Sequence, residues 1–264
     1  MPFCEINDLV LHYRLEGAAT GSHLVLSGSL GTDCRIWDGL VDELRGRFRI
    51  LRYDQRGQGL SDAPLGPYSI DDHAGDLIGL LDRLGWERVV ICGLSIGGMI
   101  ALAAHARRPE LFSALILSDT ADVIGPRSIW DDRIEAVRKG GIRPLAKSVL
   151  ERWFGASFLR EQPHIVRGWA NLLAGASVDG YLGSCAALRD ADLGGELSEI
   201  TAPTLCICGE EDLATPPALV RSLADRIPGA RYEEMAGAGH LPPVERPAEF
   251  ADLVTKFLEA EGVI

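Results

Sequence analysis

Ser95, Asp212 and His240 lie far apart along the chain, yet they have the residue types and settings that nucleophilic catalysis requires. Ser95 sits in Gly93-Leu94-Ser95-Ile96-Gly97, where the β-forming run Val89-Val90-Ile91-Cys92 gives way to a helical pattern. A serine hydroxyl is a weak nucleophile until it is held at a sharp turn and paired with a base. Flanking glycines let strand and helix close tightly around such a turn. The helix that follows also offers its N-terminal N–H groups and positive dipole end to an oxyanion formed beside Ser95.

His240 is the expected base. It stands in Gly237-Ala238-Gly239-His240-Leu241-Pro242, a loop after the last strand whose glycines free the backbone to aim a side chain. His12, His23, His73, His105 and His164 lie in element patterns or in stretches without glycine flanks, and read as packing or surface residues. An orienting acid is expected in Gly209-Glu210-Glu211-Asp212. Asp212 has the short side chain and lies nearest the Thr215-Pro216-Pro217 helix start. Asp119, after Leu117-Ser118, is its rival. The Ile96 N–H is expected to form half of an oxyanion hole. The other half is expected from Leu30 in Ser27-Gly28-Ser29-Leu30-Gly31, with Ser29 as the alternative.

The elements that must position these groups alternate. Leu9 to Leu15 has the period of a half-buried antiparallel strand. Further strands are predicted at Leu24–Leu26, Ile50–Tyr53, Val89–Cys92, Ala114–Leu117, Thr204–Cys208 and Ala230–Met235. Helices are predicted at Ile36–Leu44, Ile70–Leu84, Gly97–Arg107, Ala218–Arg226 and Pro247–Glu259. Apolar strands alternating with helices predict a mostly parallel sheet covered on both faces. From Val123 to Leu193 the pattern breaks into helices alone: Ile129–Lys139, Pro144–Phe154, Ile165–Leu173 and Tyr181–Leu188. The expected organisation is therefore an α/β core of residues 1–122 and 194–264, with an all-helical cap, 123–193, inserted between consecutive strands. Asp54-Gln55-Arg56-Gly57-Gln58-Gly59 matches no phosphate-binding loop; it is expected to brace loops beneath the active edge through Asp54 and Arg56.

The 264 residues, 47% apolar and 24% charged, suit one globular domain with an insertion. A net charge of −12 argues against nucleic acid and anionic membrane surfaces as partners. No run reaches the roughly 18 apolar residues of a membrane span. The start, Met1-Pro2-Phe3-Cys4-Glu5, has neither the basic nor the apolar region of an export signal, so the expected location is the cytoplasm. Six cysteines are scattered without paired ligand spacing and imply no metal. Between Asp122 and Asp190 ten bases meet eight acids, a relatively positive stretch on an acidic body.

The strings Leu26-Ser27-Gly28-Ser29-Leu30-Gly31-Thr32-Asp33, Arg52-Tyr53-Asp54-Gln55-Arg56-Gly57, Gly66-Pro67-Tyr68-Ser69-Ile70, Gly93-Leu94-Ser95-Ile96-Gly97-Gly98-Met99 and Leu117-Ser118-Asp119-Thr120-Ala121 together resemble the α/β-hydrolase superfamily, and within it the 3-oxoadipate enol-lactonases. The string Ser184-Cys185-Ala186-Ala187-Leu188-Arg189-Asp190-Ala191-Asp192, inside the helical insertion, is similar to the same family. The chain order Ser, Asp, His agrees. The resemblance implies an α/β-hydrolase fold: a mostly parallel eight-stranded sheet flanked by helices, with an inserted helical cap. It implies a cofactor-free cytoplasmic enzyme of aromatic catabolism that opens an anionic enol-lactone through an acyl-serine. The free carboxylate of such a substrate needs a partner charge when buried. Arg133 is the candidate, with Trp130 and Trp153 as apolar walls; a surface arginine paired with Glu135 or Asp131 is the plainer alternative for Arg133. A general carboxylesterase or haloperoxidase-like hydrolase would use the same triad. A binding protein on this fold would be expected to have lost a triad member, and none is missing. Two departures from the family pattern stand out. Gly28-Ser29 replaces the usual His-Gly or Asn-Ser, and Gln58 replaces the histidine of Arg-Gly-His-Gly.

Overall fold

A computed structural model describes residues 2–195 and 197–264. Its strands are β1 (Phe3–Ile6), β2 (Leu9–Gly17), β3 (Ser22–Ser27), β4 (Phe48–Tyr53), β5 (Val89–Leu94), β6 (Phe112–Ser118), β7 (Thr204–Gly209) and β8 (Arg231–Met235). They form one eight-stranded sheet in the order β1-β2-β4-β3-β5-β6-β7-β8. The pairings β1–β2 and β2–β4 are antiparallel and the rest are parallel. Every residue of β5 and β7 is buried, which explains why both read as continuous apolar runs.

The helices between and after the strands are α1 (Asp38–Leu44), α2 (Ile70–Leu84), α3 (Ile96–Arg107), α9 (Pro217–Arg226), α10 (Pro242–Glu245) and α11 (Pro247–Ala260). Between β6 and β7 the chain forms α4 (Arg127–Gly140), α5 (Ala146–Trp153), α6 (Ala156–Glu161), α7 (Pro163–Ala174) and α8 (Val178–Asp190). No strand occurs there among the described residues. No described helix is long and apolar enough to cross a membrane.

The predicted helix over Ile36–Leu44 is divided: Cys34–Trp37 is a 3-10 turn capped by Asp33, and α1 follows. Sequence periodicity missed β1, α6 and α10, which have four, six and four residues. By contrast α2 has the predicted ends. Ser69 and Asp72 form a capping box at its start, and Gly85 at φ 68° closes it.

The strand order places the site. The chain crosses from β3 through α1 to β4 in one direction, then from β4 through α2 to β5 in the other, and parallel crossovers of this kind are right-handed as a rule. The order therefore reverses between β3 and β5, and α1 and α2 fall on opposite faces. A crevice opens at the carboxyl ends of strands at such a reversal. The loops after β3 and β5 are Ser27–Gly31 and the Ser95 turn. Helix α3, buried from Ile96 to His105, is apolar all round and runs beneath this crevice.

Candidate active site

Ser95 links β5 to α3 with φ 58° and ψ −119°, a conformation costly for a side chain bearing Cβ. The turn is held from two sides. The Ser95 N–H donates to the Ser118 carbonyl at 2.9 Å, and the Thr120 hydroxyl donates to the Ser95 carbonyl at 2.6 Å. The glycines are sterically required. A methyl group at Gly97 would strike the Ser27 and Gly28 carbonyls, and one at Gly93 would strike the Gly97 carbonyl. Ile96 and Gly97 open α3, where backbone N–H groups have no intrahelical acceptor.

His240 lies in the loop after β8 and is 2% exposed. Its Nδ1 meets Asp212 Oδ2 at 2.8 Å, so Nδ1 carries the proton and Nε2 is the nitrogen left free to act. Ser95 and His240 line one cavity. Asp212 is locked by further donors: Thr215 Oγ1 at 2.6 Å on Oδ2, and the N–H groups of Ala214 (2.6 Å) and Thr215 (3.1 Å) on Oδ1. Burial alone would raise its pKa, but the His240 ring and these donors outweigh it and hold the carboxyl below its usual range.

Asp119, the rival acid, ends β6 at φ 47° and is fully buried. Its oxygens accept the Gly209 N–H at 2.8 Å and the Ser118 hydroxyl at 2.6 Å. Burial and the adjacent Asp212 push its pKa well above the carboxylate range. Burial and its neighbour thus drive Asp119 towards its neutral form, while the ring and donors around Asp212 hold it towards its ionised form beside His240.

Leu30 and Ser29 both line the cavity, in the loop after β3, which lies on the other side of β5 from β8, the strand before the His240 loop. Their loop is tied down by amides from the string after β4. Gln58 Oε1 accepts the Thr32 N–H at 3.1 Å, Gln58 Nε2 donates to Gln55 Oε1 at 2.7 Å, and Gln55 Nε2 donates to the Gly28 carbonyl at 2.8 Å. Thr32 in turn donates its hydroxyl to the Ser29 carbonyl at 2.7 Å. Asp54 and Arg56 brace more distant parts. Asp54 accepts from the Cys34 N–H and the Leu60 N–H, and Arg56 pairs with Asp76 on α2 at 2.6 Å. Sequence reasoning placed the brace on Asp54 and Arg56 and marked Gln58 only as a departure from the family pattern, so the role of Gln55 and Gln58 escaped it.

The far wall comes from the helices between β6 and β7. Trp130 and Arg133 of α4 and Trp153 of α5 all line the cavity, and the Arg133 guanidinium lies 5.1 Å from the Trp130 ring centroid. Trp130 is oriented by its Nε1–H, which donates to the Ile124 carbonyl at 2.6 Å. The acids beside Arg133 in sequence are engaged elsewhere: Glu135 pairs with Lys139 at 2.9 Å and Asp131 with Arg189 at 3.2 Å. The plainer alternative for Arg133 therefore does not hold, and Arg133 makes no ion pair among the described residues. Sequence reasoning missed Arg152, Thr215 and Tyr181 as members of the site. Arg152 lines the same cavity and donates to the Leu213 carbonyl at 2.8 Å. Burial, then the charge of Arg133, lower its pKa. The relatively positive stretch between Asp122 and Asp190 was the one signal for it. Thr215 was read only as part of a helix start, and nothing marked Tyr181.

Two groups of ligating atoms lie close together: His12, Cys34 and Asp54, and Asp119, Cys208 and Asp212. In both, the carboxylate oxygens are already occupied by N–H or O–H donors that a cation would have to displace.

A profile of the alpha/beta hydrolase fold family matches residues 22–247. The chain is 35% identical to 3-oxoadipate enol-lactonase 2 of Acinetobacter baylyi over 92% of its own length and 91% of that protein. The crystal structure of the enol-lactonase from Burkholderia xenovorans is similar at a TM-score of 0.95 and 40% identity, covering 98% of this chain and all of that one. A thermophilic esterase from Thermogutta terrifontis is similar at 0.90 and 27%, covering 96% and 94%.

Proposed function

The chain belongs to the α/β-hydrolase superfamily, in its 3-oxoadipate enol-lactonase family, and on that premise we propose that it hydrolyses 3-oxoadipate enol-lactone to 3-oxoadipate through an acyl-serine intermediate. One observation carries the choice of substrate: the cavity shared by Ser95 and His240 is walled by apolar side chains, yet it holds two guanidiniums, Arg133 and Arg152, that lack ion-pair partners among the described residues. Half-buried guanidiniums without counter-ions, facing a cavity with apolar walls, favour an anionic ligand.

In this reading residues 123–193 cap a core of 1–122 and 194–264. The substrate carboxylate lies against Arg133 and Arg152, with its ring between Trp130 and Trp153. His240 Nε2 takes the proton of Ser95 Oγ as Oγ bonds to the lactone carbonyl carbon. The oxyanion that forms is held by the Leu30 and Ile96 N–H groups. The ring C–O bond then breaks; the leaving enolate takes the proton from His240 and settles as the ketone. Water, deprotonated by His240, attacks the ester carbonyl, the C–Oγ bond breaks, and Oγ recovers its proton. Asp212 keeps Nδ1 protonated and stabilises the imidazolium in both halves. A second reading, a broad carboxylesterase, is favoured by the similarity to the Thermogutta terrifontis esterase.

The experiment is a coupled assay on freshly generated enol-lactone, run beside a neutral aryl ester, for the wild type and Ser95→Ala. The proposal expects kcat/KM to favour the enol-lactone strongly and Ser95→Ala to lose both activities. Comparable kcat/KM on the two substrates selects the second reading. Retained activity in Ser95→Ala overturns both.

A further inference from the structure

One carboxylate bridges the loop carrying His240 and the helices of the cavity wall. Glu245 of α10 accepts the Gly239 N–H on Oε1 at 2.8 Å and the Gly155 N–H on Oε2 at 3.0 Å. Gly239 immediately precedes His240, and Gly155 lies two residues beyond the cavity residue Trp153. The two segments touch with no room to spare. A methyl group at Gly239 would sit 2.6 Å from the Gly155 nitrogen, and one at Gly155 would sit 2.7 Å from the Gly237 carbonyl. The Leu241 N–H also donates to the Trp153 carbonyl at 3.2 Å. Glu211 extends the seam by accepting the Ala156 N–H at 2.6 Å.

We propose that Glu245 is a positioning residue: when ionised, its carboxylate clasps both loops and fixes His240 relative to the Trp153 wall, and when protonated it loosens that clasp. The inference rests on the reading of His240 as the catalytic base. The electrostatics support it. Burial pushes the Glu245 pKa up to about 7, against the pull of the Gly155 and Gly239 N–H groups and of Arg246, with Glu211 pushing it further up. The charged groups bearing on the carboxyl are thus Arg246 on the same turn and Glu211 from the loop after β7. The α5–α6 junction and the His240 loop present uncharged amides, and α1 meets α10 through Gly39, at Pro243; of the other elements packed on α10, the Cys34–Trp37 turn carries Arg35, paired with Asp33, and α11 carries Glu249, paired with Arg246 at 3.6 Å. The clasp therefore switches near neutral pH.

The test compares wild type and Glu245→Gln on a neutral aryl ester, with Ser95→Ala as the blank. A glutamine has nearly the shape of the protonated glutamic acid and cannot accept with both ends. The kcat/KM ratio of wild type to Glu245→Gln should be about tenfold at about pH 8 and approach one at about pH 6. A ratio constant across that range overturns the clasp. Activity surviving in Ser95→Ala overturns the underlying catalytic reading instead. A second measurement needs no variant. In the wild type, hydrogen exchange at the Gly155 and Gly239 amides, corrected for intrinsic rates, should lose protection together as the pH falls over the same range; unchanged protection overturns the clasp.

Discussion

Asp119 and Asp212 lie just beyond the ends of the adjacent strands β6 and β7 with carboxyl oxygens within 4.8 Å of each other, and they have opposite duties. Asp212 bonds His240 Nδ1 at 2.8 Å, whereas Asp119 turns to the Gly209 N–H at 2.8 Å. The backbone link matters, since Gly209 begins the loop that carries Asp212. Asp119 holds that loop and Asp212 holds the imidazole, and the opposite shifts of the two carboxyls favour the ionised form on the one beside His240.

The pair sets a pH dependence whose sign follows from the shifts. The folded-state pKa of Asp119 is raised, so the folded chain keeps a proton that the unfolded chain releases above the ordinary carboxylate pKa. Wild-type stability should therefore fall as pH rises above about 4 towards the folded pKa of Asp119. Asp119→Asn keeps an acceptor for the Gly209 N–H and removes the titration. Its melting temperature should stay close to wild type at low pH and overtake it progressively as the pH rises. Thermal melts across the pH range check this. Parallel wild-type and variant curves would show that Asp119 carries no extra proton. Asp212 has the opposite sign: its lowered pKa gives stability that is lost only as pH falls through that value.

Sequence alone revealed the sheet strands and the triad candidates because each depends on local chemistry. The glycine-flanked Ser95 turn, the buried run of β5 and the capped helix α2 need only neighbours in sequence to be recognised. What stayed hidden depends on the tertiary fold. Sequence favours Asp212 over Asp119 by its place beside a helix start, but the bond to His240 that separates two acids leaving strands at the same edge depends on where β6 and β7 end. Arg152 looks like any surface arginine until α5 is packed over the cavity. Glu245 looks like a helix-end acid until α6 arrives beside it. Short elements such as β1 and α10 carry too few residues for periodicity to show.

Arg133 and Arg152 should separate binding from chemistry. If they hold the substrate carboxylate, Arg133→Ala and Arg152→Ala should each raise KM for the enol-lactone by about tenfold or more, the worth of one charge-assisted hydrogen bond. Neutral aryl ester hydrolysis should change little. Because one anion would lie between two guanidiniums that otherwise repel, the double variant should lose less than the product of the single losses. Steady-state kinetics of the four proteins on both substrates test this. Equal losses on the neutral ester would reassign both arginines to packing.

Gln58 Oε1 accepts the Thr32 N–H at 3.1 Å in the loop that presents Ser29 and Leu30. Gln58→Ala would orphan that buried donor at a cost of about 1–3 kcal/mol. The loop would lose its fixed position, and kcat should drop by about tenfold on both substrates with KM nearly constant. Gln58→His should recover most of the rate, because a neutral imidazole can accept the same N–H. A KM effect confined to the enol-lactone would place Gln58 among the substrate contacts instead.

Ser95 should trade stability for reactivity. Its φ of 58° and ψ of −119° suit glycine and cost a residue with Cβ about 1–3 kcal/mol. Ser95→Gly relieves that strain while adding about 0.4–1 kcal/mol of unfolded-chain entropy, so the net change should be stabilising by about 1 kcal/mol. Ser95→Ala removes the hydroxyl but keeps Cβ and its strain, and should melt below the glycine variant. Both should be inactive on the enol-lactone and on the aryl ester. Denaturant unfolding of the three proteins at one pH checks the order. If Ser95→Ala proves as stable as Ser95→Gly, the turn is not strained, and the Ser118 and Thr120 bonds to the Ser95 backbone hold it alone.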